Sequence, residues 1–202
     1  MHPNSSDSST SQNYQLYETL DVGESPVSLK QMKSELGLGA NSCGLDDFLK
    51  TTIAACTAWG QGYTGREFTD NTYSLLIDCF EDRISIRYSP IETIDSVKHF
   101  VSGALVTVDA ATYYLKRGAY LSEILLLGSA AWPTDTDDRE QAIEIEFTTV
   151  AISDDKLSIA ISAIKRHVTY MFENRGDCED CGGCADKAGA KPLYNMIRIP
   201  RI

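Results

Sequence analysis

The sequence predicts an α+β protein: a small helical bundle, with N-terminal and C-terminal amphipathic helices packed together, and an antiparallel β lobe inserted between them. Three observations carry this. Residues 45–68 (LDDFLKTTIAACTAWGQGYTGREF) place Leu45, Leu49, Ile53, Cys56, Trp59 and Tyr63 on one helical stripe. A second stripe of the same period, Leu157, Ile161, Ile164, Val168 and Met171, stands near the C-terminus. Between them the period falls to two, in RISIRY (83–88) and in IEIEF (143–147), where Ile143, Ile145 and Phe147 alternate with Glu144 and Glu146. Neither stripe can bury itself alone, so the two helices are expected to cover each other.

In chain order, residues 1–25 are predicted to be a disordered or partner-ordered arm, Ser-rich to residue 13 and regaining Tyr, Leu and Val over 14–22. The folded domain proper is expected over 26–176. A helix over 28–36 starts on Ser28 as N-cap and stops at Gly37 and Gly39. The next, 45–64, has Asp46 and Asp47 in its first turn and Gly65 as a left-handed cap. Gly60 and Gly62 each cost that helix about 1 kcal/mol relative to Ala, so its last turn needs close packing or frays. The β lobe is expected over 68–150 with roughly six to eight short strands. Its first two, 73–80 and 83–88, read as a hairpin about Glu81-Asp82, and Pro90 precedes a strand that bends through a bulge. The closing helix spans 156–175, with Ala160 and Ala163 allowing close approach. A Cys/Gly-rich loop (177–190) and an extended C-terminal docking tail (191–202) follow.

Composition excludes several classes. The chain has 202 residues, 43% of them hydrophobic, enough for one core with at most a small second lobe. The longest apolar run is only 124–127, so no membrane span is predicted. The first residues have neither a basic region nor an apolar core, so no secretory leader is expected and the chain is placed in the cytoplasm where it is made. A net charge of −11 argues against wrapping nucleic acid, which needs clustered Lys and Arg.

No catalytic constellation emerges. His2, His99 and His167 fall in unrelated places, and no nucleophile elbow, phosphate loop or metalloprotease helix occurs. The acid pairs Asp46-Asp47, Asp137-Asp138 and Asp154-Asp155 read as caps or solvated loops. Cys178, Cys181 and Cys184 form C-x2-C-x2-C, a spacing that brings three thiolates to one ion or cluster. A ferredoxin-like run would need a further cysteine, and Ala188 stands there; zinc would need a fourth ligand, for which His167 is the nearest histidine. The other account is a supple loop with free thiols or one disulfide, and no cofactor. Cys56 and Cys79 read as small buried apolar groups.

The order of VSLKQMKSELGL, DDFLKTTIAACTAWGQGYTGREF, IRYSPIETIDSVKHF, ATYYLKRGAYLSEILLLGSAAWP, IEIEFTTV and IAISAIKRHVTYMFENR resembles the head-tail connector (head-completion adaptor) family of tailed bacteriophages and prophages. The resemblance covers 27–175; the serine-rich start and the cysteine cluster stand outside the family pattern. It implies a non-enzymatic virion protein of the neck, made in the host cytoplasm. Such a subunit joins neighbouring copies in a ring, commonly twelve-membered, under the portal protein. The ring extends the DNA channel, passes DNA without sequence-specific binding and offers tail or neck proteins a platform.

Two segments are read against that role. The tail KPLYNMIRIPRI interleaves Leu193, Tyr194, Met196, Ile197, Ile199 and Ile202 with its only charges, Lys191, Arg198 and Arg201; Pro192 and Pro200 forbid one continuous helix. It is expected to dock as an extended arm on the portal or a neighbour, or to add a strand to its own lobe. Asp135, Asp137, Asp138, Glu140, Glu144 and Glu146 are an acidic channel surface or a solubilising one. A small intracellular zinc or iron-sulfur protein built on the cysteine run is the second functional reading.

Overall fold

The computed structural model describes residues 15–39, 43–118, 121–175 and 180–200. It is an α+β fold in which helices from both ends of the sequence pack together beside an inserted antiparallel lobe. The helices are α1 (Leu29–Glu35), α2 (Asp46–Thr64), α3 (Asp154–Glu173), α4 (Cys181–Lys187) and α5 (Lys191–Ile197).

Local chemistry starts and stops them. Ser28 Oγ accepts the Gln31 amide at 3.2 Å while Gln31 Oε1 accepts the Ser28 amide at 2.9 Å, a reciprocal cap on α1. Ion pairs of Lys33 with Asp46, and of Lys165 with Glu35 at 3.2 Å, hold this short helix to α2 and α3. At the end of α2, Gly65 takes φ +69° and its amide donates to the Gln61 carbonyl at 2.8 Å, which a residue without Cβ does freely. Met32, Leu49, Ile53, Cys56, Ile164, Val168 and Tyr194 fill the helical core, and Trp59, Tyr63, Ile161 and Met171 pack against it partly buried.

The strands are β1 (Leu16–Val22), β2 (Asn71–Ile77), β3 (Arg83–Ile86), β4 (Ile91–Val101), β5 (Ala104–Thr107), β6 (Tyr113–Lys116), β7 (Ser122–Leu126) and β8 (Ile143–Thr149). They form a five-stranded sheet ordered β1-β2-β8-β4-β5 and a three-stranded sheet ordered β3-β7-β6. Leu75, Ile77, Ile143, Ile145 and Phe147 of the first share a core with Ile84, Ile86 and Ile124 of the second. The bulged strand read after Pro90 is β4, whose register against β8 shifts twice before Val97.

Four expectations are corrected. The segment 83–88 does not fold back on 73–80: β3 pairs with β7, and β2 lies between β1 and β8. Switching sheets places Ile84 and Ile86 in the shared core. The end of the arm over 1–25 is the edge strand β1, although six of its seven side chains are exposed; its place comes from the main-chain ladder with β2, which hydropathy does not register. The loop over 177–190 contains α4, started by Asp180, whose carboxylate accepts the Gly183 amide at 2.6 Å. The extended tail over 191–202 is helical over Lys191–Ile197: Pro192 sits in the first turn, where its missing N–H leaves no bond unmade.

Candidate functional site

The C-terminal segment is riveted to the end of α2. Trp59 and Tyr63, one turn apart, stack with ring centroids 4.9 Å apart, and Tyr194 inserts fully buried beside them, 5.5 Å from Trp59 and parallel to Phe68 at 6.4 Å. Gly60 makes this possible, since a Cβ there would lie 2.7 Å from the Tyr194 ring. Polar contacts lock the register. Tyr63 Oη donates to Asn195 Oδ1 at 2.7 Å, Arg66 Nε to the Ile197 carbonyl at 2.6 Å, and the Ile199 amide to the Thr64 carbonyl at 2.8 Å. The Arg198 guanidinium lies over the Tyr63 ring at 4.6 Å. Of the residues expected to dock a partner, Tyr194 and Ile197 are therefore core, and Leu193, Arg198 and Ile199 are half-buried. Met196 is 69% exposed, while Arg201 and Ile202 lie outside the described residues.

The cysteine run is divided. Cys184 is buried and disulfide-bonded, and a disulfide sulfur is not a thiolate ligand. Cys181 is a half-buried thiol whose pKa burial pushes up, with the Asp180 charge adding to it. Cys178 lies outside the described residues. His167 is fully buried with its ring edge-on to Trp59 at 5.5 Å. Burial holds its imidazole below the ordinary range, opposed by the Cys181 backbone. Among the described residues no group of three or more His, Cys, Asp and Glu side chains converges as a metal site.

The acidic residues divide as well. Asp137 accepts the Ser102 and Gly103 amides at 2.8 Å each and so caps the β4–β5 hairpin. Lys98 lies between Glu144 (3.4 Å) and Glu146 (2.9 Å), and it holds the Glu146 carboxyl below the usual range, helped by Ser96. Asp135, Asp138 and Glu140 are exposed.

Sequence reasoning passed over Glu67, at the junction of bundle and lobe. Its amide donates to the Ser89 carbonyl and its carbonyl accepts the Ile152 amide, both at 3.0 Å, so main-chain bonds tie it to the links on either side. Its side chain is buried at 3% exposure, and its Oε2 accepts from Gln61 Nε2 (2.5 Å), Asn71 Nδ2 (2.5 Å) and Tyr73 Oη (3.1 Å). Burial pushes its carboxyl above the ordinary range against these three donors. The only trace in sequence is an acid wedged between a helix cap and Phe68.

No protein-family model and no curated protein matches the chain. Solved structures do. A chain in the neck of an empty gene transfer agent particle computed with C6 symmetry is 18% identical with a TM-score of 0.73, covering 93% of this chain and 97% of its own. A chain in the virion of a native gene transfer agent particle is 20% identical at a TM-score of 0.72, with the same coverage. A third, in the neck of the native particle computed with C12 symmetry, is 20% identical at 0.65, over 92% of this chain and 97% of its own. The fold of this chain is the fold of those chains.

Proposed function

We propose that this chain is a non-enzymatic structural subunit of the neck of a phage-like virion, a head-tail adaptor that forms a ring with copies of itself beneath the portal protein. The observation that carries the reading is the extent of the correspondence: the fold matches neck chains over 92–93% of this chain and 97% of theirs. Ring closure requires a heterologous interface, in which one patch of a subunit meets a different patch of the next. A ring of chains that each carry a net charge of −11 lets DNA pass without holding its phosphates. Twelvefold symmetry, contact with tail proteins and a location in the virion neck belong to the same proposal.

The docking surface for the portal is the exposed side of α5 and the chain beyond it, centred on Met196 and Arg198. Removing the whole tail would not test this, because Tyr194 belongs to the core. The experiment is electron microscopy of the purified chain mixed with the portal of the same particle, using wild type and Met196→Glu, whose site is exposed. Rings seated on the portal in wild type, and absent in the variant with an unchanged thermal melt, are expected. Wild-type protein that leaves the portal bare overturns the adaptor reading.

A further inference from the structure

Beside Glu67 a cavity of about 410 Å³ opens between α2, β1 and the β2–β3 side of the lobe, within the range of about 300–1,000 Å³ typical of ligand sites. Gln61, Glu67 and Asn71 are among its polar lining residues, Tyr73 and Tyr88 form an aromatic wall, and the exposed Gly62 lines it on the solvent side. The two phenol rings stack with centroids 4.1 Å apart, which fixes that wall. Asn71 is set by a second layer, since its Oδ1 accepts the Gly23 amide and Thr69 Oγ1, both at 3.0 Å. All three donors to Glu67 converge on Oε2; among the described residues, none reaches Oε1 and no cation pairs with this carboxylate. Among the described residues the one cationic lining residue, Arg87, is exposed at the rim. A buried carboxyl group with one oxygen unbonded either keeps a proton or takes a counter-charge from a ligand.

We propose that this cavity binds an alkylguanidinium group, with the fork donating to Glu67 Oε1 and Gln61 Oε1 and its apolar stem against Tyr88. A guanidinium fits better than a compact ammonium because it offers several N–H donors in one plane and lies well against aromatic rings. Gly62 keeps the mouth open: a Cβ there would meet nothing within 4 Å, so the absent side chain leaves space and makes no contact of its own.

The test is titration of the full-length protein with agmatine, followed by NMR of the Gln61 and Asn71 side-chain amides. Two variants accompany wild type. Glu67→Gln keeps an oxygen for the three donors and removes the charge; Gly62→Leu plugs the mouth without touching Glu67. Saturable shifts are expected in wild type, at least roughly tenfold weaker binding in Glu67→Gln, and none in Gly62→Leu, with cooperative thermal melts in all three. No saturable shift in wild type, or equal affinity in Glu67→Gln, overturns the proposal and leaves Glu67 a purely structural junction. The same variants identify the source of the group. Self-assembly lost in both assigns it to an arginine of a second copy, and unchanged self-assembly assigns it to a free small molecule. Failure of agmatine binding would leave the adaptor reading standing, since that rests on the portal complex.

Discussion

A Cβ placed on Gly60 would meet Tyr194 Cε1 at 2.7 Å and Phe68 Cε2 at 2.9 Å, whereas one on Gly62, two residues along the same helix, meets nothing within 4 Å. Identical substitutions therefore have opposite signs. Gly60→Ala is expected to lower stability by about 1–3 kcal/mol through overpacking, and Gly62→Ala to raise it by about 0.5–1 kcal/mol through helix propensity; urea unfolding of the two separates them. The sequence shows both glycines as costs to the helix but not which one makes room for a neighbour. His167 gives a second residue-scale test. Its imidazole is held low by burial, so below about pH 6.5 the unfolded chain takes up a proton that the folded chain refuses. Stability is thus complete above that value and is lost as pH falls through it toward the lowered folded value. The urea midpoint of wild type should decline between pH 7 and pH 5.5, and that of His167→Gln should decline less; equal slopes would contradict the assignment.

At the scale of elements, the amphipathic helices were legible because hydrophobic period, caps and acidic first turns agree with one another. Ser28 and Gly65 cap as read, and α3 starts at Asp154, slightly before the boundary expected from its stripe. The C-terminal elements were not legible, because α4 and α5 have seven residues each, too short for a periodic signal and stable only through packing. Proline in the tail read as a barrier to helix, yet Pro192 lies in the first turn, where an amide has no intrahelical partner to lose. Tyr194 makes α5 part of the core, so Tyr194→Ala should cost about 3–5 kcal/mol, as for other large buried aromatics. Met196→Glu, two residues on and 69% exposed, should change stability by no more than about 0.5 kcal/mol. Denaturant melts of the pair distinguish a helix that belongs to the bundle from an arm that merely rests on it. The edge strand β1 was missed for a related reason: its side chains are mostly exposed, and only its backbone partner β2 defines it.

For the molecule as a whole, charge and topology make separate statements. A net charge of −11 is a property of composition, and it predicts that the purified chain will not retard duplex DNA in a gel at about 150 mM salt, where surface fields are screened within about 8 Å. A retarded band would contradict the proposed channel wall. Composition does not say where the acids go. In the fold Lys98 joins Glu144 and Glu146, and Asp137 caps a hairpin, so the exposed acidic surface is narrower than the run from Asp135 to Glu146 suggests. By itself the sequence determined the fold class, the two long helices, their contact and the alternation of the lobe, because each is encoded in residues within one or two turns or strands of one another. Only the tertiary structure decided that β3 leaves β2 for another sheet, that the tail's Tyr194 fills the space over Gly60, and that Glu67 meets Gln61, Asn71 and Tyr73 beside an open cavity. Those are choices between partners far apart in the chain, made by burial and hydrogen-bond satisfaction across the whole molecule, and no local period records them.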